Sequence, residues 1–470
     1  MVATEDSSKD DWSTSNYHVL MFAVFLGVYC SSSPEIIRPS ILRGMGFSTA
    51  STSSVLATLT AVGAFSEFAV NPLFGRLSDR YGRKPFLIGS LLAMMLANAC
   101  TALGPHKLWP FAVERCLSTA AGTVLFTSMR ASLSDTLHGA ELTISASRVA
   151  MAAGLAVLCG GPSVGMVTVP LFGNIRAPQM VNTVVLGCAA FVVSAHLHES
   201  LPENKRMPMD WSRANPLSFL TMLFKTRTMF WWMSCSFLQT FIDGRNIIES
   251  NLLYLESEMN MDIKTSLYHL FAGAKIFVGG FLGKPMMNCF GQLGLTSVSN
   301  GLNFLAQAVG ILSRNHSEMY AYVLATGLGY ASIEHNHPKS WRPRIHITAV
   351  ERSLICLRRI LVCACGVMSV GCRERKRDGV ETLLTAEASR LGFGRGETAA
   401  GMSNFRSLAN ILAPLLFAAA YNWGMTPPRH FPKAIFVSRM IIGAVVPELT
   451  FRLVPKAERI RMVRQAEAQP

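Results

Sequence analysis

Glu67, Arg115, Asp243, Arg245 and Lys275 are ionisable residues set inside stretches that are otherwise apolar. A charge in such a place is costly unless it is paired or wetted, so these residues are functional candidates by default. Carboxylates such as Glu67 and Asp243 can take up a proton on one side of a barrier and release it on the other. The cations Arg115, Arg245 and Lys275 can hold an anionic group or tune a neighbouring carboxylate. Each has a plainer use as well. Arg245 and Glu249 are four residues apart and could pair along one helix face. Glu114 could satisfy Arg115, although sequence neighbours point apart, and Lys275 could stretch its ammonium towards water. No nucleophile and base stand in a recognisable arrangement and no phosphate-binding glycine loop occurs. The sequence therefore does not read as an enzyme, and it calls for no cofactor and no metal.

The elements around these residues are set by composition. Of the 470 residues, 50% are hydrophobic and only 15% charged, whereas soluble domains carry about 25% charged residues. The apolar residues come in blocks of roughly 17 to 25, the length that crosses a hydrocarbon core about 30 Å thick. Spans are predicted at 17–31, 54–73, 85–103, 108–132, 146–170 and 181–196. After a polar, proline-containing stretch they resume at 229–254, 267–281, 295–312, a short one from 319 to 333, 399–421 and 434–451. The expected fold is an all-α membrane protein of about twelve transmembrane helices in two pseudo-symmetric six-helix bundles. The predicted organisation is a cytoplasmic tail 1–16, a first bundle 17–197, a cytoplasmic linker 198–228, a second bundle 229–451 and a cytoplasmic tail 452–470. The second bundle holds an atypical insertion, 334–395. Its one apolar piece has Arg358 and Arg359 near the middle, so it reads as a cytoplasmic loop or as a translated non-coding stretch.

The formal net charge of +14 raises the question of nucleic acid, and the placement of the charges answers it. About 30 Lys and Arg fall in loops on one predicted side and about eight on the other, as the positive-inside rule requires. The basicity is topological, and no nucleic-acid partner is expected. The 11 cysteines form no disulfide framework. Cys356, Cys363, Cys365 and Cys372 match no common zinc spacing. The first apolar run lacks a basic leader and reads as a retained helix rather than a signal peptide.

After the second span the chain runs Gly75-Arg-Leu-Ser-Asp79-Arg80-Tyr-Gly82-Arg83-Lys84-Pro85. This resembles the signature loop of the major facilitator superfamily, with every defining position filled. A plain basic loop would explain Arg80, Arg83 and Lys84 but not an aspartate and two glycines at these spacings. The resemblance implies that the loop is a conformational latch, with Asp79 facing the start of the eleventh span near Glu397 and Thr398. Arg115 stands where the family has a buried arginine, although the glutamine and glycine that commonly follow it are absent. Gly154, Gly161, Pro162 and Gly165 resemble the family's antiporter motif, with Met166 in place of the last glycine. Ordinary packing of small residues on neighbouring helices explains the same glycines. The similarity is nearest to tetracycline-resistance-type drug/proton antiporters. It implies a monomer in the lipid bilayer that moves a small organic solute, with a coupling proton. Uptake of a sugar or organic anion, and a receptor or scaffold that no longer transports, are the alternatives.

Overall fold

The computed structural model describes residues 6–261, 296–319 and 384–461, with short breaks inside each stretch. Predicted span 267–281, all of the span 319–333 except Met319, and most of the insertion 334–395 lie outside the described residues. The first half comprises α1 (Asp6–Ser32), α2 (Arg38–Gly44), α3 (Thr49–Tyr81), α4 (Lys84–Leu103), α5 (Trp109–Thr136), α6 (Gly139–Pro162), α7 (Val169–Phe172) and α8 (Ala177–His196). The second comprises α9 (Phe219–Leu223), α10 (Arg227–Thr240), α11 (Gly244–Glu258), a helix over 300–312, α12 (Arg395–Met425), α13 (Ala434–Met440) and α14 (Val446–Leu453). Among the described residues, 7 segments are long and apolar enough to cross a membrane. Leu171 and Phe191 are each more than 70% exposed on such segments. Side chains of this kind, dispersed around a helical protein, are what a surface solvated by lipid requires.

Several boundaries differ from the sequence expectation, each for a local reason. The first span does not stop at Ser31. A 3-10 turn, Ser33–Glu35, joins α1 to α2, and the whole segment Asn16–Gly44 forms one span. Pro34, Glu35 and Arg38 look like loop residues in sequence, yet they lie inside the protein. The span predicted at 229–254 is two helices, broken between Thr240 and Gly244. Pro162 is followed by a π-helical turn, Ser163–Thr168, in which Thr168 Oγ1 donates to the Ser163 carbonyl at 2.9 Å. α3 is 33 residues long, about 50 Å at 1.5 Å per residue, and so outruns the hydrocarbon core. Gly75 to Tyr81 are its last turns, and the signature segment is a loop only at Gly82 and Arg83.

Leu20, Val24, Leu91, Leu125 and Leu186 form a core within the first half. A second core runs across the halves, with Ile36, Ile41 and Phe111 of the first packed with Leu252, Phe417 and Phe436 of the second. α3 and α12 lie antiparallel along the junction. Asn422 Nδ2 donates to Ser54 Oγ at one end and Asn71 Nδ2 to Ser403 Oγ at the other, both at 2.9 Å. The linker also touches both halves. Phe219 of α9 stacks edge-on with Phe68 of α3, ring centroids 6.4 Å apart, and lies 5.2 Å from Phe405 of α12. This part of the expected linker is a packed element at the signature end of the bundles.

Candidate functional site

A cluster of buried charges joins the two halves at the end away from the signature segment. Arg38 donates to Glu114 of α5 at 2.8 Å and to Glu249 of α11 at 2.9 Å. Arg115 donates to the same Glu249 oxygen at 2.7 Å, and Glu35 stands 3.8 Å from its other nitrogen. The second Glu249 oxygen accepts from Thr60 Oγ1 at 2.7 Å, and Thr60 in turn accepts from Arg115 at 3.0 Å. The side chains of Arg38 and Glu249 are 2% and 8% exposed. A paired charge this deep gains little net stability over apolar packing, but losing one partner strands the rest. Glu249 is therefore the hub. It is the member from the second half, and both guanidinium groups converge on it. Farther out on the same helices Arg43 lies 3.5 Å from Glu256, and Ser40 Oγ donates to Glu256 at 3.4 Å. Beside the hub is a narrow cavity of about 20 Å³, lined by Ser53, Thr60, Asn246, Glu249, Leu253 and Pro414 among others.

Among the described residues, Arg115 is the one sequence candidate that belongs to this cluster, and its partners are Glu249, Thr60 and Glu35 rather than Glu114. Glu114 pairs with Arg38 rather than with its neighbour, because adjacent residues on a helix diverge by about 100°. Glu249, which the sequence offers as a plainer partner for Arg245, is engaged by Arg38, Arg115 and Thr60. The Arg245 side chain, Asp243 and Lys275 lie outside the described residues. Glu67 is partly buried on α3. It follows Thr60 by seven residues, two helical turns, and so shares its face about 10 Å nearer the signature end. Arg38, Glu249 and Glu35 escaped the sequence reading as site residues. The one signal for Arg38 was its place only seven residues beyond the predicted end of the first span.

The signature segment makes a second polar centre. Arg83, 7% exposed, donates to Asp79 at 2.5 Å, Asp135 at 3.2 Å and Ser78 at 2.8 Å. The backbone N–H groups of Arg83 and Lys84 donate to the Glu199 carboxylate at 2.7 and 3.1 Å. α3, α4, α5 and the exit of α8 are thus tied together. Arg80 lies over the Tyr81 ring at 5.2 Å. The antiparallel register of α3 and α12 carries Asp79 towards the first turn of α12. Gly82 has φ +99°, and a side chain there would run into Glu199. Gly82→Ala is accordingly expected to cost about 1–3 kcal/mol, read as a lower unfolding temperature in detergent; an unchanged temperature would contradict this geometry. Gly161 and Pro162 end α6 where it passes into the π segment that holds Gly165, with Gly154 two turns earlier, and Tyr29 of α1 meets Ser163 there at 2.7 Å. A side chain on the adjacent Gly160 would meet Ser32, so the small residues bring α6 close to α1.

The helical bundle, with a charged junction between its halves and a complete signature segment, is that of a polytopic membrane protein. The chain belongs to the Major Facilitator Superfamily, whose family model matches residues 19–334. Tetracycline resistance protein class C of Escherichia coli is 29% identical over 188 residues, 39% of this chain and 44% of that protein. Human hippocampus abundant transcript-like protein 1 is 28% identical over 167 residues, 34% of this chain and 32% of that protein. A homologue of the multi-drug resistance efflux pump PmrA from Lactococcus lactis is 21% identical over 191 residues, 40% and 46% of the two chains. The aligned part thus spans less than half the length of each of these relatives. Among solved structures, the human organic anion transporter MFSD10 superposes with a TM-score of 0.55 at 13% identity, over 93% of this chain and 99% of that one. The nucleoside transporter NupG superposes with 0.66 at 9% identity, over 93% and 100%.

Proposed function

We propose that the chain is a secondary transporter that exports a small organic solute in exchange for protons. The observation that carries this reading is the buried pair of Arg38 and Glu249, because its members belong to opposite halves and must part if a site between the halves is to open at that end. Protonation of Glu249 removes the charge that holds Arg38 and Arg115, so a proton and an opening are linked through one carboxylate. Solute binds between the halves beside the narrow cavity, and Glu67, on the same α3 face as Thr60, passes the proton towards the signature end. The halves then close at that end through α9 and the α3–α12 contact, and the site is exposed to each side in turn. Export of a drug-like molecule is favoured by the tetracycline-resistance and multidrug-efflux relatives. The protein works as a monomer, with both termini and the segment 334–395 on the cytoplasmic side. Protease added to inside-out vesicles is expected to cut 334–395, and right-side-out vesicles to protect it; the reverse pattern would overturn this topology.

Glu67→Gln tests the coupling. In proteoliposomes screened with a panel of solutes that includes tetracycline, accumulation driven by a pH gradient is expected to vanish in this variant, while exchange at equal pH continues. Survival of both activities would leave Glu67 a structural polar group. Accumulation by the parent protein that ignores the pH gradient would favour a uniporter.

A further inference from the structure

The two helices that supply the inter-half ion pair are both broken, and each break lies just before the charged residue. α1 ends at Ser32, the 3-10 turn follows, and α2 opens with Arg38. Residue 34 is a proline, so it has no N–H for the Cys30 carbonyl four residues back. The side-chain amide of Asn182 on α8 takes that place, donating to the Cys30 carbonyl at 3.1 Å and to Ser33 Oγ at 2.8 Å. Asn182 is 1% exposed. In the second half α10 ends at Thr240 and α11 begins at Gly244, with Glu249 one turn farther on. Here the buried Asn246 amide donates to the Thr240 carbonyl at 3.0 Å and to Asn410 Oδ1 of α12 at 3.0 Å. A buried carbonyl without a donor is costly, so each amide makes tolerable a break that the backbone alone would not keep. The same device occurs on both sides of the junction.

We infer that Asn182 and Asn246 are positioning residues: each holds its helix broken at the angle that brings Arg38 to Glu249, and α2 and α11 swing about these breaks when the pair opens. The inference rests on the reading of that pair as a contact that opens during transport. It differs from rocking of two rigid bundles, because it places φ/ψ change at Ser33–Ile37 and after Thr240.

Distances between nitroxide labels decide the matter in the full chain in lipid nanodiscs, with native cysteines replaced. One pair, Gly44 and Trp423, spans the halves; the other, Gly44 and Leu103, lies within the first half. Both pairs sit at the end of the ion-pair cluster, and Glu249→Gln serves as the trigger. Swinging segments require both distances to change. A change between halves with a constant Gly44–Leu103 distance would mean rigid rocking and would overturn the hinge while leaving the opening contact intact. If neither distance responds, the contact does not open and both readings fall. In a second arm, Asn182→Ala alone is expected to raise the population with an altered Gly44–Leu103 distance at least about tenfold. Adding Pro34→Ala should narrow the distances to one population that differs from the parent's, because residue 34 then offers its N–H to Cys30 and the helix runs on unbroken. A lower unfolding temperature with no change in this distance would make Asn182 structural only and sink its assigned role.

Discussion

Replacing Glu249 with alanine is expected to destabilise the protein by about 3–5 kcal/mol, the largest effect of any single substitution considered. The size follows from what remains. Arg38 and Arg115 both donate to one oxygen of this carboxylate, and without it two guanidinium groups face each other in a site that water barely reaches. Glu114 and Glu35 stay in place, but neither lies where both arginines can use it. Glu249→Gln keeps the shape and two of the acceptor lone pairs, so it should cost less and favour the open junction. Thermal unfolding in detergent micelles measures both variants. An alanine variant within about 0.5 kcal/mol of the parent would mean that the cluster relaxes around a different acceptor, and Glu249 would not be the hub.

Asp79→Asn is expected to leave insertion near normal and to slow transport at least about tenfold, equivalent to ~1.4 kcal/mol on the limiting step. The substitution is isosteric, so α3 keeps its last turns. What it removes is one of the two carboxylates that hold the buried Arg83, and the charge that the register of α3 and α12 directs at the first turn of α12. A helix N-terminus favours a carboxylate by roughly 0.3–1 kcal/mol, and that term is lost each time the signature end closes. Arg83 without Asp79 turns wholly to Asp135 and draws α4 towards α5. Normal solute flux in proteoliposomes would show that Asp79 only shapes the turn.

Much of this molecule was legible in the chain, because the bilayer makes its demands on long runs of residues. The spans at 85–103 and 434–451 and the placement of Gly82 and Arg83 needed only hydropathy and turn chemistry. The signature residues were equally plain, since no helix interior needs glycine, aspartate and a basic pair at those spacings. The site was harder. A span that stops at Ser31 discards Arg38, because Pro34, Glu35 and Arg38 are the residues that normally mark a loop; they are tolerated here through contacts from Asn182, Glu114 and Glu249 that are distant in sequence. Glu249 had an obvious local partner four residues back, and local pairing is the simplest account a single helix offers. Its actual partners come from α2, α3 and α5, and nothing in the local pattern reports a contact across the two halves. The break between α10 and α11 is hidden for the same reason, since its carbonyl is served by Asn246 from the next helix.

The central claim is that α2 and α11 separate in every transport cycle. Cysteines at Ser40 and Glu256, which touch across the two halves at 3.4 Å, allow that contact to be fixed by a short, reducible thiol cross-linker in an otherwise cysteine-free chain. The measurement is pH-driven flux, in proteoliposomes, of whichever solute the panel identifies, before cross-linking, after it, and after reduction. The account predicts that cross-linked protein carries essentially no flux and that reduction restores it. Flux at the parent rate with the cross-link intact would contradict it.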